Sequence, residues 1–266
     1  MVRLGRIRGH LRPRRLRLYG LGNGKSGTTS LTQMFGAYRA AHEINRNRVR
    51  AVGTKILTGE LDAHSARVRA ELRRRSVRYH LEVDVAGHLA VFADPLARMY
   101  PDARFVLLVR DCFSWLDSVV EQQIRSLRVG LVRDSYYRAK YQWDDESFAP
   151  EEATLRDADL LPIASWYRGW AAMNQRVVDA VPADRLLVVR TEDLDRSAPM
   201  LARFAGVPES TVRTVHANRN PSPTGLLGTV PASFIVEQAR EHCAPVMERY
   251  WGAEWSELSS RLPTRR

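Results

Sequence analysis

Residues 103–110, ARFVLLVR, hold five consecutive apolar side chains between two arginines. A strand with one wet face alternates apolar and polar residues. A run without alternation needs cover on both faces, as the central strands of a parallel sheet have. RLLVVR at 185–190 repeats the pattern, and RLRLYG (15–20) and YHLEVDV (79–85) supply two further strands. Helical spacing is expected from Thr28 to about Ala41, where Leu31, Met34, Phe35 and Tyr38 recur on one face. Further helices are expected near 62–76, across GHLAVFADPLARMY up to Pro101, and from about Ser114, with Ser114 and Asp117 as a box-like cap. Others fall at 162–180, after TEDL (191–194), and after the loop at 218–231, while the acidic stretch within 130–160 reads as a surface excursion. Strands alternating with helices imply right-handed crossovers and a central parallel sheet flanked by helices, the α/β class. A length of 266 residues with 44% apolar content suits a single domain over 1–266.

In such folds ligands sit at the carboxyl ends of the strands. Three polar segments fall at that edge: residues 22–30, Arg110, and the turn at 191–194. The first is LYGLGNGKSGTTSL (18–31), a strand entering a glycine loop with a lysine and several hydroxyls. It is a near miss for the Walker A pattern GxxxxGK[ST]. Counting back from Lys25 puts Tyr19 where the first glycine belongs, and the frame Gly22–Gly27 is followed by Thr28 where lysine is required.

Charge narrows the partners less than it first suggests. The formal net charge is +11, and of 41 basic residues only Lys25, Lys55 and Lys140 are lysines. Arginine forks suit phosphate and sulfate, but such a charge draws anions of every kind. Seven arginines lie in residues 1–17, and 1–14 read as a flexible basic arm with no apolar core of a secretory signal. No run of about 18 apolar residues is present to span a membrane. Cys112 and Cys243 fit no metal spacing and no CxxC, so a reduced cytoplasm is the simplest home.

The order Lys25-Ser26-Gly27-Thr28-Thr29-Ser30 resembles the 5′-phosphosulfate loop of sulfotransferases that use 3′-phosphoadenosine-5′-phosphosulfate (PAPS), with Gly24 in the place of the family's usual proline. The resemblance extends to RFVLLVRDCFSWLDS, a strand ending in Arg110 with Ser118 eight residues on, where Cys112 replaces another common proline. RLLVVRTEDL resembles a third, weaker family segment. The resemblance implies a P-loop-containing nucleoside triphosphate hydrolase-like architecture. It implies that Gly24, Lys25, Ser26, Gly27, Thr28, Thr29 and Ser30 hold the 5′-phosphosulfate, and that Arg110 and Ser118 hold the 3′-phosphate. Arg219 and Asn220 sit in a late loop of the kind that folds over the nucleotide in this family. The spent donor would be 3′-phosphoadenosine-5′-phosphate (PAP).

Family members use histidine or glutamate as the base that takes the acceptor proton. Glu43 and His42, expected just past the first helix, are two candidates; His88, just past the 79–85 strand, is a third. Sulfuryl carries less charge than phosphoryl, so a metal clamp is not demanded. Aromatic residues cluster at 136–170 (Tyr136, Tyr137, Tyr141, Trp143, Trp166, Tyr167, Trp170), either lining an acceptor pocket for a small molecule, glycoside or lipid or packing the core. Two rivals remain: a small-molecule P-loop kinase using ATP and Mg²⁺, for which Asp111 is the available carboxylate, and a basic module binding nucleic acid through its arginines.

Overall fold

The computed structural model describes residues 12–128, 135–143, 148–215 and 224–263. Its sheet has five strands, all parallel, in the order β2-β3-β1-β4-β5. They are β1 (Leu18–Gly22), β2 (Ala40–His42), β3 (Val83–Val85), β4 (Arg104–Val109) and β5 (Leu186–Arg190). Ten α-helices are described: α1 (Thr28–Met34), α2 (Arg46–Leu57), α3 (Ala66–Tyr79), α4 (Ala93–Met99), α5 (Cys112–Arg128), α6 (Ser135–Tyr141), α7 (Ala153–Asp157), α8 (Ile163–Ala180), α9 (Ala198–Ala205) and α10 (Ala232–Trp251).

The unbroken apolar run of β4 behaves as its pattern requires. Phe105 through Val109 are fully buried, with Phe105, Leu107 and Val109 turned to one side and Val106 and Leu108 to the other. The first side is covered by α4, α5, α8 and α10, with Trp115, Trp166 and Trp170 among its largest buried groups. The second is covered by α1 and α9 through Leu31, Met34, Phe35 and Leu201. The helices that follow the adjacent strands β1 and β4 thus lie on opposite faces. Their connecting loops part above the β1–β4 pair and leave a crevice there.

The structure corrects the sequence expectations in several places. The helix after the glycine loop ends at Met34, where Gly36 follows, rather than near Ala41. The chain then forms β2, a three-residue edge strand paired with β3. His42 therefore closes a strand instead of trailing a helix, and Glu43 follows it. A helix not foreseen, α2, fills 46–57, and the charged helix expected near 62–76 runs from Ala66 to Tyr79. Asp111, not Ser114, caps α5: its Oδ1 accepts the Ser114 backbone N–H at 2.9 Å. Part of the 130–160 stretch is helical, with Tyr136 and Tyr141 of α6 buried. Residues 1–11 of the basic arm lie outside the described residues, whereas Arg14 donates to Leu81 O and to Ser76.

Candidate functional site

The glycine loop leaves β1 by a backbone route few residues tolerate. Gly22 has φ 146°, and a Cβ there would stand 2.5 Å from Leu108 O of the neighbouring strand. Gly27, at the start of α1, has φ 92° and lies against Leu194. Between them Lys25 is itself left-handed, at φ 73°, a strained geometry for a non-glycine residue and one that concentrates at functional sites. Ties from α5, α8 and the turn after β5 hold the loop. Trp115 Nε1 donates to Gly24 O (2.9 Å), Thr191 Oγ1 to Ser26 O (2.9 Å), and Asn23 Nδ2 to Trp170 O (3.1 Å). Ser26 is 1% exposed, yet its Oγ has no partner among the described residues, so a polar group on the loop is left for something else to satisfy.

Arg110 ends β4 beside this loop. Its Nη1 donates to Lys25 O at 3.3 Å and its Nε to Ser114 Oγ at 2.9 Å. Ser118 lies one helical turn beyond Ser114 on the same face of α5 and is half-buried. The two segments thus meet from 85 residues apart, with Ser114 as an intermediary that the Arg110–Ser118 spacing did not reveal. Thr28 and Ser30 are buried in the first turn of α1, while Thr29 and Gly24 are exposed. Lys25 has its pKa lowered by burial and then by the nearby Arg125 and Arg110. Burial likewise lowers Arg110, the guanidinium remaining charged.

The three candidate bases part company. His42 Nε2 lies 3.0 Å from Thr28 Oγ1, so its ring is engaged with the glycine loop, and burial lowers its pKa. Glu43 and His88 instead line one cleft of about 340 Å³, together with Gly24 and Lys25. Glu43 is left-handed (φ 51°), and its carboxylate stands 3.6 Å from Arg46. The turn that carries it is braced from below. Arg75 of α3 forks onto Asp84 of β3 (2.7 and 2.8 Å) and donates to Ile44 O (2.6 Å). His88 is 3% exposed, neither ring nitrogen has a partner among the described residues, and burial followed by Arg50 and Arg75 pushes its pKa down to about 3.

The far wall of the cleft comes from α2, α5 and α6: Arg50, Gln122, Gln123, Tyr136, Tyr137, Lys140 and Tyr141. Of the aromatic cluster, these three tyrosines reach the cleft; Trp166, Tyr167 and Trp170 are core residues. Lys140 was not foreseen. The available signal was its rarity, because two of the chain's three lysines meet in this cleft.

Asp111 is not free to hold Mg²⁺. Oδ1 caps α5, and Oδ2 accepts from Ser114 Oγ (2.5 Å) and Arg261 Nη1 (2.8 Å). Glu121 of α5 is a residue the sequence did not signal. Its Oε1 accepts from Thr224 N, Thr224 Oγ1 and Gly225 N at 2.6–3.0 Å, fixing the chain where the late loop rejoins the fold. Arg219 and Asn220 of that loop lie outside the described residues. Among the described residues no helix is long and apolar enough to cross a membrane.

A family model described as a sulfotransferase domain matches residues 17–222. None of the curated proteins matches the chain. Solved structures similar to it include a sulfotransferase from Alicyclobacillus acidocaldarius, at 17% identity and TM-score 0.45, covering 88% of this chain and 96% of that one. The sulfotransferase domain from the curacin biosynthetic pathway gives 16% identity, TM-score 0.41, and 96% and 99% coverage. The sulfotransferase domain from the Synechococcus PCC 7002 olefin synthase gives 18%, 0.40, and 78% and 79%.

Proposed function

The chain belongs to the sulfotransferase domain family, and on that premise we propose that it moves a sulfuryl group from PAPS to an acceptor hydroxyl of a small molecule, glycoside or lipid. One observation carries the reading. Lys25 belongs both to the glycine loop, against which Arg110 rests, and to the cleft that holds Glu43 and His88. A donor lying along the loop from Arg110 toward Lys25 would present its sulfuryl end to that cleft.

The loop residues 24–30 take the 5′-phosphosulfate, with the partnerless Ser26 hydroxyl as one donor; Arg110 and Ser118 take the 3′-phosphate. The acceptor oxygen attacks sulfur in line, the new S–O bond forming as the bond from sulfur to the 5′-phosphate oxygen breaks. Lys25 stabilises the charge gathering on that leaving oxygen, which departs as part of PAP. Glu43 receives the acceptor proton. His88, neutral and partnerless in the cleft wall, orients the acceptor hydroxyl, and His42 holds Thr28 of the donor loop. Arg219, in the late loop anchored by Glu121, would add a contact over the nucleotide.

The test is PAPS-dependent release of PAP across a panel of hydroxyl acceptors. Lys25→Ala should lower kcat by about 10²–10³, the usual loss when a donor to developing charge is removed. Turnover unchanged in Lys25→Ala would contradict the assignment. The kinase reading needs a metal-holding carboxylate at β4, and Asp111 is engaged elsewhere; phosphoryl transfer from ATP with Mg²⁺ would revive it.

A further inference from the structure

Among the described residues, the cleft beside Lys25 is lined by more cations than carboxylates. Its charged lining residues among the described chain are Lys25, Arg46, Arg50 and Lys140, against a single carboxylate, Glu43. Lys25 belongs to the donor loop, and Glu43 already faces Arg46 at 3.6 Å. Arg50 and Lys140 stand on the opposite wall, and Arg110, which serves the donor's other end, is not part of that lining.

Lys140 is the unusual group. It is 6% exposed, and its ammonium donates to Tyr141 Oη at 3.1 Å, with the same ring 4.7 Å away. Among the described residues no carboxylate comes within ion-pair distance of it. A buried ammonium held only by a phenol is costly unless an anion completes it. Burial and then Arg50 push its pKa down to about 7, against a smaller pull upward from Glu43. Beside it, Arg50 donates to Tyr137 Oη at 3.3 Å and lies over the Tyr136 and Tyr137 rings at 5.4 and 5.0 Å. The wall is therefore cationic at its base and aromatic at its sides. Lysine is scarce in this arginine-rich chain. Lys55 is surface-exposed near Glu60, whereas Lys25 and Lys140 both face this one cleft.

We propose that the acceptor is an anion: a hydroxyl compound bearing a carboxylate or similarly charged group, which Lys140 holds while its hydroxyl faces Glu43, His88 and Lys25. The inference rests on the sulfotransferase reading and deepens it. A buried ammonium with no carboxylate partner among the described residues favours such a molecule over its neutral analogue by a charge-assisted contact and disfavours a cationic one by repulsion.

Three phenols of similar size separate these cases: 4-hydroxyphenylacetate (anion), tyrosol (neutral) and tyramine (cation), each titrated calorimetrically into the full chain with PAP at saturation and without it. The carboxylate should bind roughly tenfold or more tighter than tyrosol, with tyramine weakest. Lys140→Met should erase that preference while the thermal shift given by PAP is kept, showing that the variant folds. Equal affinities, tighter binding of tyramine, or no binding of the carboxylate would overturn the inference. The two readings fail separately: a chain that ignores PAP but keeps the carboxylate preference loses its donor assignment, whereas one that binds PAP without the preference loses only the anionic acceptor.

Discussion

The two halves of the proposed site are built by different means. The donor half is made of turns that leave adjacent strands: the loop after β1, Arg110 at the end of β4, and Thr191 at the end of the edge strand β5, bound to one another through backbone carbonyls. The acceptor half is made of side chains from α2, α5, α6 and the turns after β2 and β3, facing one another across a cleft. The first depends on a few glycine conformations and strand ends. The second depends on where separate helices come to rest. A donor common to a family can be held by backbone, while an acceptor peculiar to one member is met by side chains that change without disturbing the sheet.

If that division is right, substitutions in the halves should separate into distinct readouts. The largest effect is expected on the acceptor side. Glu43→Gln should lower kcat by about 10²–10⁴, as for loss of a placed base, with PAP affinity little changed. A parallel loss of PAP binding, read by calorimetry, would show that Glu43 serves the donor half instead. Next comes the brace beneath it. Arg75→Ala leaves Asp84 buried without its partner and should cost about 3–5 kcal/mol in urea unfolding. A loss below 1 kcal/mol would mean the pair is not buried in solution.

His88 gives a pH signature. Folded, it holds its proton only near pH 3; unfolded, near 6.5. Between those values the unfolded chain binds the extra proton. The contribution is therefore fully present above about pH 6.5 and is lost as pH falls toward 3. In the nucleotide-free chain, His88→Gln should flatten the fall in stability from pH 6.5 to 4; a variant with the wild-type slope would place His88 in water. The smallest effect belongs to the donor side. Ser118→Ala should weaken PAP by about two- to tenfold, one hydrogen bond's worth, and leave acceptor affinity alone.

The same division governs what could be read from the chain. β4 and β5 announced themselves through unbroken apolar runs, and the donor loop through glycines, lysine and hydroxyls in a fixed order after a strand. Each is a local pattern whose physics is complete within about 15 residues. β2 was invisible because three residues, AAH, carry no periodicity, and its existence is decided by pairing with β3. That omission misplaced His42 and Glu43 at a helix end and hid the fact that His42 faces the glycine loop while Glu43 faces the cleft. The wall of Arg50 and Lys140 was illegible for a related reason. An arginine on a charged helix reads as solvated until the fold sets another helix against it. Asp111 shows the converse: a carboxylate that sequence offers as a metal ligand is an N-cap and the partner of Arg261 once the chain closes.

The central claim is a nucleotide held at both ends, and competition between two nucleotides tests it most directly. Calorimetric titration of wild-type chain and Arg110→Ala with PAP and with adenosine 5′-phosphate isolates the 3′-phosphate. The wild-type chain should prefer PAP by roughly tenfold or more, as expected for one charge-assisted phosphate contact, and Arg110→Ala should bring the two affinities together. Equal binding of both nucleotides by the wild-type chain, or a PAP preference that survives in Arg110→Ala, would contradict it.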